Sequence, residues 1–494
     1  MFVNLWVIKK MGVKFKTHSA VILWNCLFLL IFSLISFVNH YNYRTYSLDL
    51  GLYTRILYDY AHFHLSYGEV FREIPENVLS DHFDLMLMFL SPLWWIFGNL
   101  TLLVAQLLFI VSGSLGIYKL GLWMNAEKRT AIIAGVLFLA FFGLWSAVSY
   151  DFHSNVAASC LLPWMIYFFK RQKIGALLVF FILILSSKEN MSLWMSFVFT
   201  GLCWMERKNH YRRRLAVILA FSSLLYFFLM VHFIMPGIST SGKYAHLEYS
   251  ALGGDFPTML KYISLHPIES AKLLFVNHSG KSANDWIKVE TWVFWLLSGG
   301  FLILRKIEFI WMVIPIMAQK MFHDDPTKWS VAQQYNIELA PLAAWCLLET
   351  VSGKSRRFQV QLSAISLAMT IVVTVRLCDH TIGFVDKTRI RFYQEDHYRS
   401  DFDKIGLKRA MRLIPDSATV SAESMFVPHL IDKKAVFAYP IVNNADFILL
   451  SDDIHTFPLS RTEMALSIND LKKSSHYATV YVKNGVYLFG KVKN

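Results

Sequence analysis

Ionisable residues able to do chemistry gather at a few points along the chain, each beside a long apolar stretch. The first is Asp49, in Tyr46-Ser47-Leu48-Asp49-Leu50-Gly51-Leu52-Tyr53, just past an apolar run over 19–38. A carboxylate beside aromatic residues at a hydrophobic boundary has its charged form disfavoured, so its pKa rises and it can take a proton from an acceptor hydroxyl. The same residues also fit a plain structural role, with Ser47 capping a short interfacial helix and Asp49 in its first turn. Leu79-Ser80-Asp81-His82-Phe83-Asp84 and Tyr150-Asp151-Phe152-His153 each combine Asp with His. Such pairs suit proton transfer or a divalent cation, and they are also common in polar loops without function. Lys188-Glu189 follows an apolar run directly. Adjacent residues face different directions on a helix, so Lys188 can meet a lipid phosphate while Glu189 pairs elsewhere, or the two simply end a span. Lys243, Tyr244, His246, Glu248 and Tyr249 precede Leu252-Gly253-Gly254-Asp255 in a flexible polar loop. His323-Asp324-Asp325-Pro326 through Gln333, Gln334, Tyr335 and Asn336 reads as a polar rim above two spans.

The elements that must position these residues are membrane-crossing helices. Of the 494 residues, 55% are hydrophobic and 17% charged, against about 25% charged in a soluble domain. The mean hydropathy is +0.41. Runs long enough to cross a bilayer lie at 19–38, 100–123, 131–149, 156–170, 174–187, 190–205, 215–236, 290–304, 307–322, 336–352 and 358–377, which predicts about eleven transmembrane helices. The net charge of +13 follows from Lys and Arg kept in cytoplasmic loops and does not call for nucleic acid. Five cysteines, an odd number, form neither a disulfide framework nor a metal-ligand pattern. The first run follows Lys9, Lys10, Lys14 and Lys16 but is too long for a signal peptide and lacks a small-residue cleavage site, so it reads as a retained anchor.

Positive-inside bias sets the orientation. With the N-terminus cytoplasmic, the basic groups Lys128–Arg129, Lys170–Lys173, Arg207–Arg214, Arg305–Lys306 and Lys354–Arg357 all fall in cytoplasmic loops. The long loops 39–99 and 237–289 then face outward, as does everything after Cys378. The segment 82–99 is apolar enough to span, yet counting it inverts every later loop. With Ser91-Pro92 in its middle and Trp94 and Trp95 near one end, it reads as a helix lying along the outer interface. Residues 379–494 form a small α/β pattern: an amphipathic stretch DFDKIGLKRAMRLI, a turn at Pro415-Asp416-Ser417, then strand-like TVSA, KAVFAY, ADFILL, ATVYVK and GVYLFGKV. The expected domains are thus a membrane part, 1–378, and an extracytoplasmic α/β part, 379–494, that caps it or binds a partner.

Taken in order, LDLGLYTRIL, LSDHFDLMLMFLSPLWWIFG, SYDFHSN, SSKENMSLW, QQYNIELAPL and PDSATVSAESMFVPHLIDKKAVFAYP resemble a bacterial family of membrane proteins known as domain of unknown function 2079. That family usually carries His before the tyrosine of the QQYN stretch, where this chain has Gln334. The family in turn resembles the GT-C class of membrane glycosyltransferases, which use a lipid-phosphate sugar donor and carry an acidic residue early in a first outer loop with interfacial helices. The resemblance implies a GT-C-like fold in the bacterial inner membrane and transfer of a sugar from a polyprenyl-phosphate carrier to an extracytoplasmic glycan, lipid or protein acceptor. Asp49 takes the place of the first-loop acid and Asp151 that of the acid in the next outer loop, both as catalytic candidates. His82, His153, Lys188, Glu189, Lys243 and Tyr335 are the candidate substrate-binding residues. No metal ligand set is expected, and a divalent cation is optional because a monophosphate carrier needs little charge neutralisation.

A transporter or flippase for a lipid-linked or small substrate would show ionisable residues at mid-membrane depth or paired broken helices. Here the charges lie at span ends. A non-catalytic envelope scaffold would leave the polar outer loops unexplained. The orientation predicts that cysteine reporters at 126 and 210 label from the cytoplasm, while those at 245 and 450 label from outside. Labelling of position 450 from the cytoplasm contradicts the span count.

Overall fold

The computed structural model describes residues 2–400, 402–452 and 456–492, with side chains from His18 onward. Asp401, which opens the expected amphipathic stretch, and the side chains of Lys9, Lys10, Lys14 and Lys16 lie outside the described residues.

Helices occupy the apolar runs because backbone N–H and C=O groups without water must be satisfied inside their own segment. Among the described residues four are long and apolar enough to cross a membrane, His18–Tyr41, Met86–Trp123, His210–Ile238 and Arg356–Asp379. A fifth candidate is a pair, Lys128–Ala140 and Phe142–Val148, bent by 46°. The run expected at 131–149 as one span is therefore broken, at extended Phe141 (ψ 131°). The carbonyls freed by the break are satisfied: Thr374 Oγ1 donates to Ala140 O at 2.6 Å and Trp145 Nε1 to Leu139 O at 3.0 Å. Shorter apolar helices, among them Ser154–Lys170, Ile174–Leu185, Glu189–Met205, Ile287–Leu297, Phe309–Met321 and Leu339–Val351, fill the remaining runs. Close approach needs Gly143, where an added Cβ would stand 2.5 Å from Asn336 O and push the bent pair off the segment that carries Tyr335.

The 82–99 segment is a chain of short helical pieces, Met86–Leu90, Ser91–Leu93 and Trp94–Phe97, ending at Gly98 with φ +53°. Trp95 and Ile96 are exposed. Met86–Trp123, these pieces together with the helix that follows, is 38 residues long, more than the ~20 a single crossing of a ~30 Å hydrocarbon core needs.

The C-terminal sheet has the order β2-β1-β3-β5-β4, with β1 Thr419–Ala422, β2 Ala435–Ala438, β3 Phe447–Ser451, β4 Tyr477–Lys483 and β5 Val486–Lys491. The first three strands run parallel, and β5 pairs antiparallel with β3 and β4. Every strand-like stretch of the sequence is a strand. One helix, Arg461–Lys473, falls in a gap of that pattern and opens with a capping box between Ser460 and Glu463. The sheet's core takes in Tyr43 and Val70 from the loop after the first long helix, and Ala438 N donates to Val70 O at 2.7 Å. Residues 380–398, by contrast, pack on the membrane helices: Ile390 belongs to their core.

Arg55 joins the two parts. Its guanidinium donates to the carbonyls of Ile431 (3.2 Å), Lys433 (2.9 Å) and Lys434 (3.1 Å), and Asp59 steadies it at 3.1 Å. Bonds to a charged donor contribute about 1.5–3 kcal/mol each at most, and less where solvent reaches them. Arg55→Ala should leave the helices folded but speed limited proteolysis within 402–492 severalfold; an unchanged cleavage rate would show that docking does not depend on it.

Candidate functional site

The turn after the first long helix, Ser47–Gly51, is wound as a π-helical turn, a geometry that recurs at functional sites. Ser47 does not cap a helix as one sequence reading allowed; its Oγ is 2.8 Å from Ser424 Oγ in the segment after β1. The turn is held from below by Asp151. That residue lies in the left-handed region (φ 49°). Asp151 Oδ2 accepts the N–H of Tyr46 at 3.2 Å, and Oδ1 accepts Arg389 Nη2 at 2.8 Å. Both side chains of the pair are buried, at 1% and 6% exposure. The Arg389 guanidinium lies over the rings of Tyr46 and Tyr150. Gln106 locks the loop by donating to Asp151 O at 2.9 Å and accepting from His153 N at 3.2 Å.

Asp49 projects from this turn onto the wall of a cavity of about 310 Å³. Leu48, Leu52, Ile56 and Leu87 are among its apolar lining residues, and Tyr53, Arg72, Asp81, His82 and Asp84 among its polar ones. Burial, and after it the charge of Asp151, pushes the Asp49 carboxyl up to about 7 against the pull of Lys188 and Arg389. Its side chain is still 23% exposed, and His153 Nε2 is 3.8 Å from Oδ1, beyond hydrogen-bond range. Neither ring nitrogen of buried His153 has a hydrogen-bond partner among the described residues. Asp84 is also pushed up to about 7 by burial, but its oxygens are committed, to Ser154 Oγ and to Met86 N.

Lys188 and Glu189 diverge. Lys188 Nζ donates to Tyr53 Oη at 3.1 Å just behind the cavity wall. Burial disfavours its charge, yet Tyr53, Asp84 and Glu189 outweigh that and hold the ammonium above its ordinary range. Glu189 accepts from Tyr244 Oη at 2.9 Å and from Phe83 N at 3.1 Å, with His82 Nδ1 at 3.2 Å. His82 stacks on His246 at 4.1 Å, and burial first, then Lys188 and His246, pushes it down to about 4. Tyr335 faces the same centre: burial and then the Asp49 carboxylate raise its hydroxyl. Lys243 is exposed on its loop and is not among the cavity-lining residues.

The structure thus gathers Asp49, Asp151, His82, His153, Lys188, Glu189 and Tyr335 and leaves Lys243 aside. It adds Arg389 and Lys328, whose ammonium lies 5.6 Å from the Tyr335 ring centre. Lys188 and His153 are the residues just before two helices, Glu189–Met205 and Ser154–Lys170, so two helix N-termini, each with partial positive charge, converge here. The arrangement can take a proton at Asp49 and stabilise an anion near Lys188 and Lys328. Among the described residues no group of three or more His, Cys, Asp or Glu is disposed to hold a metal ion.

The family model described as "Predicted membrane protein (DUF2079)" matches residues 39–488. No curated protein matches the chain in sequence. The crystal structure of ArnT from Cupriavidus metallidurans bound to undecaprenyl phosphate is similar in fold, with a TM-score of 0.54 and 12% identity, covering 96% of this chain and 98% of that one.

Removing one member of a buried ion pair strands the other charge, typically at about 3–5 kcal/mol. Arg389→Met should therefore lower the apparent Tm in detergent sharply. Adding Asp151→Asn to it should recover part of the loss, because the stranded carboxylate is gone. Simple additivity of the two single changes would mean that the pair does not carry the turn.

Proposed function

We propose that this chain, which belongs to the DUF2079 family of predicted membrane proteins, is a membrane glycosyltransferase that moves a sugar from a polyprenyl-phosphate carrier to an extracytoplasmic acceptor. The observation that carries the reading is Asp49: a carboxyl pushed up to about 7 by burial and by Asp151, against smaller opposing pulls that include a hydrogen bond with the Tyr150 side chain, on the wall of a cavity lined by both apolar and polar side chains. The fold shared with ArnT, a protein bound to undecaprenyl phosphate in its crystal structure, supports a lipid-phosphate donor. In this reading the eleven apolar segments span the inner membrane with the N-terminus cytoplasmic. The Asp49 cavity and residues 379–494 then face outward, and 82–99 lies along the outer interface.

The apolar lining of the cavity takes the first isoprene units, and the phosphate lies toward Lys188, Lys328 and the two helix N-termini. An acceptor hydroxyl attacks the anomeric carbon, Asp49 takes its proton, and the bond from that carbon to the phosphate oxygen breaks. The electron pair leaves on polyprenyl phosphate, a weak base that needs no strong acid, so positioning and positive charge suffice. Asp151 and Arg389 are positioning residues, which fix the turn that carries Asp49. His153, neither of whose ring nitrogens has a hydrogen-bond partner among the described residues, is placed to meet a sugar or acceptor hydroxyl beside Asp49. His82, Glu189 and Tyr335 shape the polar wall.

Asp49→Asn keeps the shape but cannot accept a proton, and loss of a general base costs ~10²- to 10⁴-fold in rate. Donor turnover in nanodiscs, followed as release of carrier phosphate, should fall by that much while donor binding persists. In the unsubstituted protein kcat/KM should be level above pH ~8 and fall tenfold per pH unit below ~7, as the carboxylate becomes protonated. Lys188→Ala should instead weaken donor binding. Full turnover in Asp49→Asn with a verified donor would remove Asp49 from the mechanism.

A further inference from the structure

The Glu189–Met205 helix starts at the Asp49 site and runs 17 residues, about 25 Å, to a second cavity at its other end. This cavity, of about 500 Å³, is lined by Glu206, Arg207, Lys208, Arg212, Lys306 and Glu308, with Trp204 at its edge. Four cations face two carboxylates. Glu206 is already spent, with Lys170 Nζ at 2.8 Å and Arg212 Nε at 3.1 Å, and Lys170 also reaches Glu349 at 3.2 Å. Among the described residues Arg207, Lys208 and Lys306 have no carboxylate within ion-pair distance, which leaves three cations against Glu308 alone.

Basic loops arise from orientation alone, but cations spread along one loop make no cavity. Here Arg207 and Lys208 come from one loop and Lys306 from another distant in sequence, and they converge over one hollow. Exposed apolar side chains adjoin it. Only 17% of the apolar window of the His210–Ile238 helix is buried; Trp204 lines the hollow, and Tyr211, Leu304, Ile307 and Trp311, close in sequence to its lining residues, are exposed. Cations without a carboxylate partner, an aromatic side chain and nearby exposed apolar side chains suit the head group, the glycerol level and the chains of an anionic lipid. We infer that this cavity, on the face opposite the Asp49 site, is a binding site for the phosphate head group of an anionic glycerophospholipid of the adjoining leaflet.

The test needs no enzymatic activity. The full chain is extracted from vesicles of phosphatidylethanolamine with an equimolar share of phosphatidylglycerol, and lipid retained on the protein is counted by native mass spectrometry. The triple variant Arg207→Gln, Lys208→Gln, Lys306→Gln removes only unpaired charges, two of them exposed, and leaves the Glu206 network intact. It should retain less phosphatidylglycerol by roughly fivefold per charge removed, with phosphatidylethanolamine unchanged. Lys128→Gln with Arg129→Gln, which removes exposed charge from another basic loop, should leave retention at the unsubstituted level. An equal fall in that control would show general surface attraction and overturn the site. Thermal stabilisation by inorganic phosphate as large as by phosphatidylglycerol vesicles, lost in the triple variant, would overturn the lipid in favour of a free anion.

Discussion

The buried pair of Asp151 and Arg389 fixes what the rest of the site depends on. Asp151 comes from the loop between two membrane helices and Arg389 from 238 residues further along the chain, in a segment that leaves the last long helix and packs back on the bundle. Their carboxylate and guanidinium neutralise each other where water is scarce. The remaining capacity of Asp151 is spent on the N–H of Tyr46. Two charges buried without that geometry would cost several kcal/mol each. With it, the turn bearing Asp49 acquires one conformation, and Asp49 gains a negative neighbour that raises its proton affinity.

The electrostatics around the cavity are divided by distance from its wall. Asp49, Asp81 and Asp84 stand on the wall, while Lys188 stands just behind Tyr53 and Lys328 beside Tyr335. Two helix N-termini add positive potential from the same side. A carboxyl with raised proton affinity and a region of positive potential therefore lie next to each other without collapsing into an ion pair. In the proposed reaction, preorganisation of this kind would let charge develop on a leaving phosphate with little rearrangement. The C-terminal sheet completes the enclosure: Ser424 reaches Ser47 in the turn, and Val70, from the loop after the first long helix, enters the sheet's core.

Much of this was legible in the chain because hydropathy alone marks helices that must satisfy their own backbones and strands that alternate. Asp49, Asp151, Lys188 and Glu189 stood out as ionisable residues at span ends, and the structure brings those four together. Arg389 did not, since Lys387-Thr388-Arg389-Ile390-Arg391 reads as an ordinary basic stretch and only the return of the chain makes it a partner. Lys328 was hidden in a polar rim for the same reason. The Arg461–Lys473 helix had a readable signal, Ser460 three residues before Glu463, masked by the surrounding strand-like runs. The break at Phe141 has no Pro to announce it, and Gly143 two residues on reads as one small residue in an apolar run; tertiary contacts through Thr374 and Trp145 sustain the break.

The central claim is that a lipid phosphate and the Asp49 carboxylate share one cavity. Cryo-electron microscopy of the protein in nanodiscs supplied with a polyprenyl phosphate tests it most directly. The account predicts density for the phosphate between Lys188, Lys328 and Asp49, with the chain leaving along Leu48, Leu52, Ile56 and Leu87. A phosphate bound elsewhere, with the Asp49 cavity empty at saturating lipid, would contradict it.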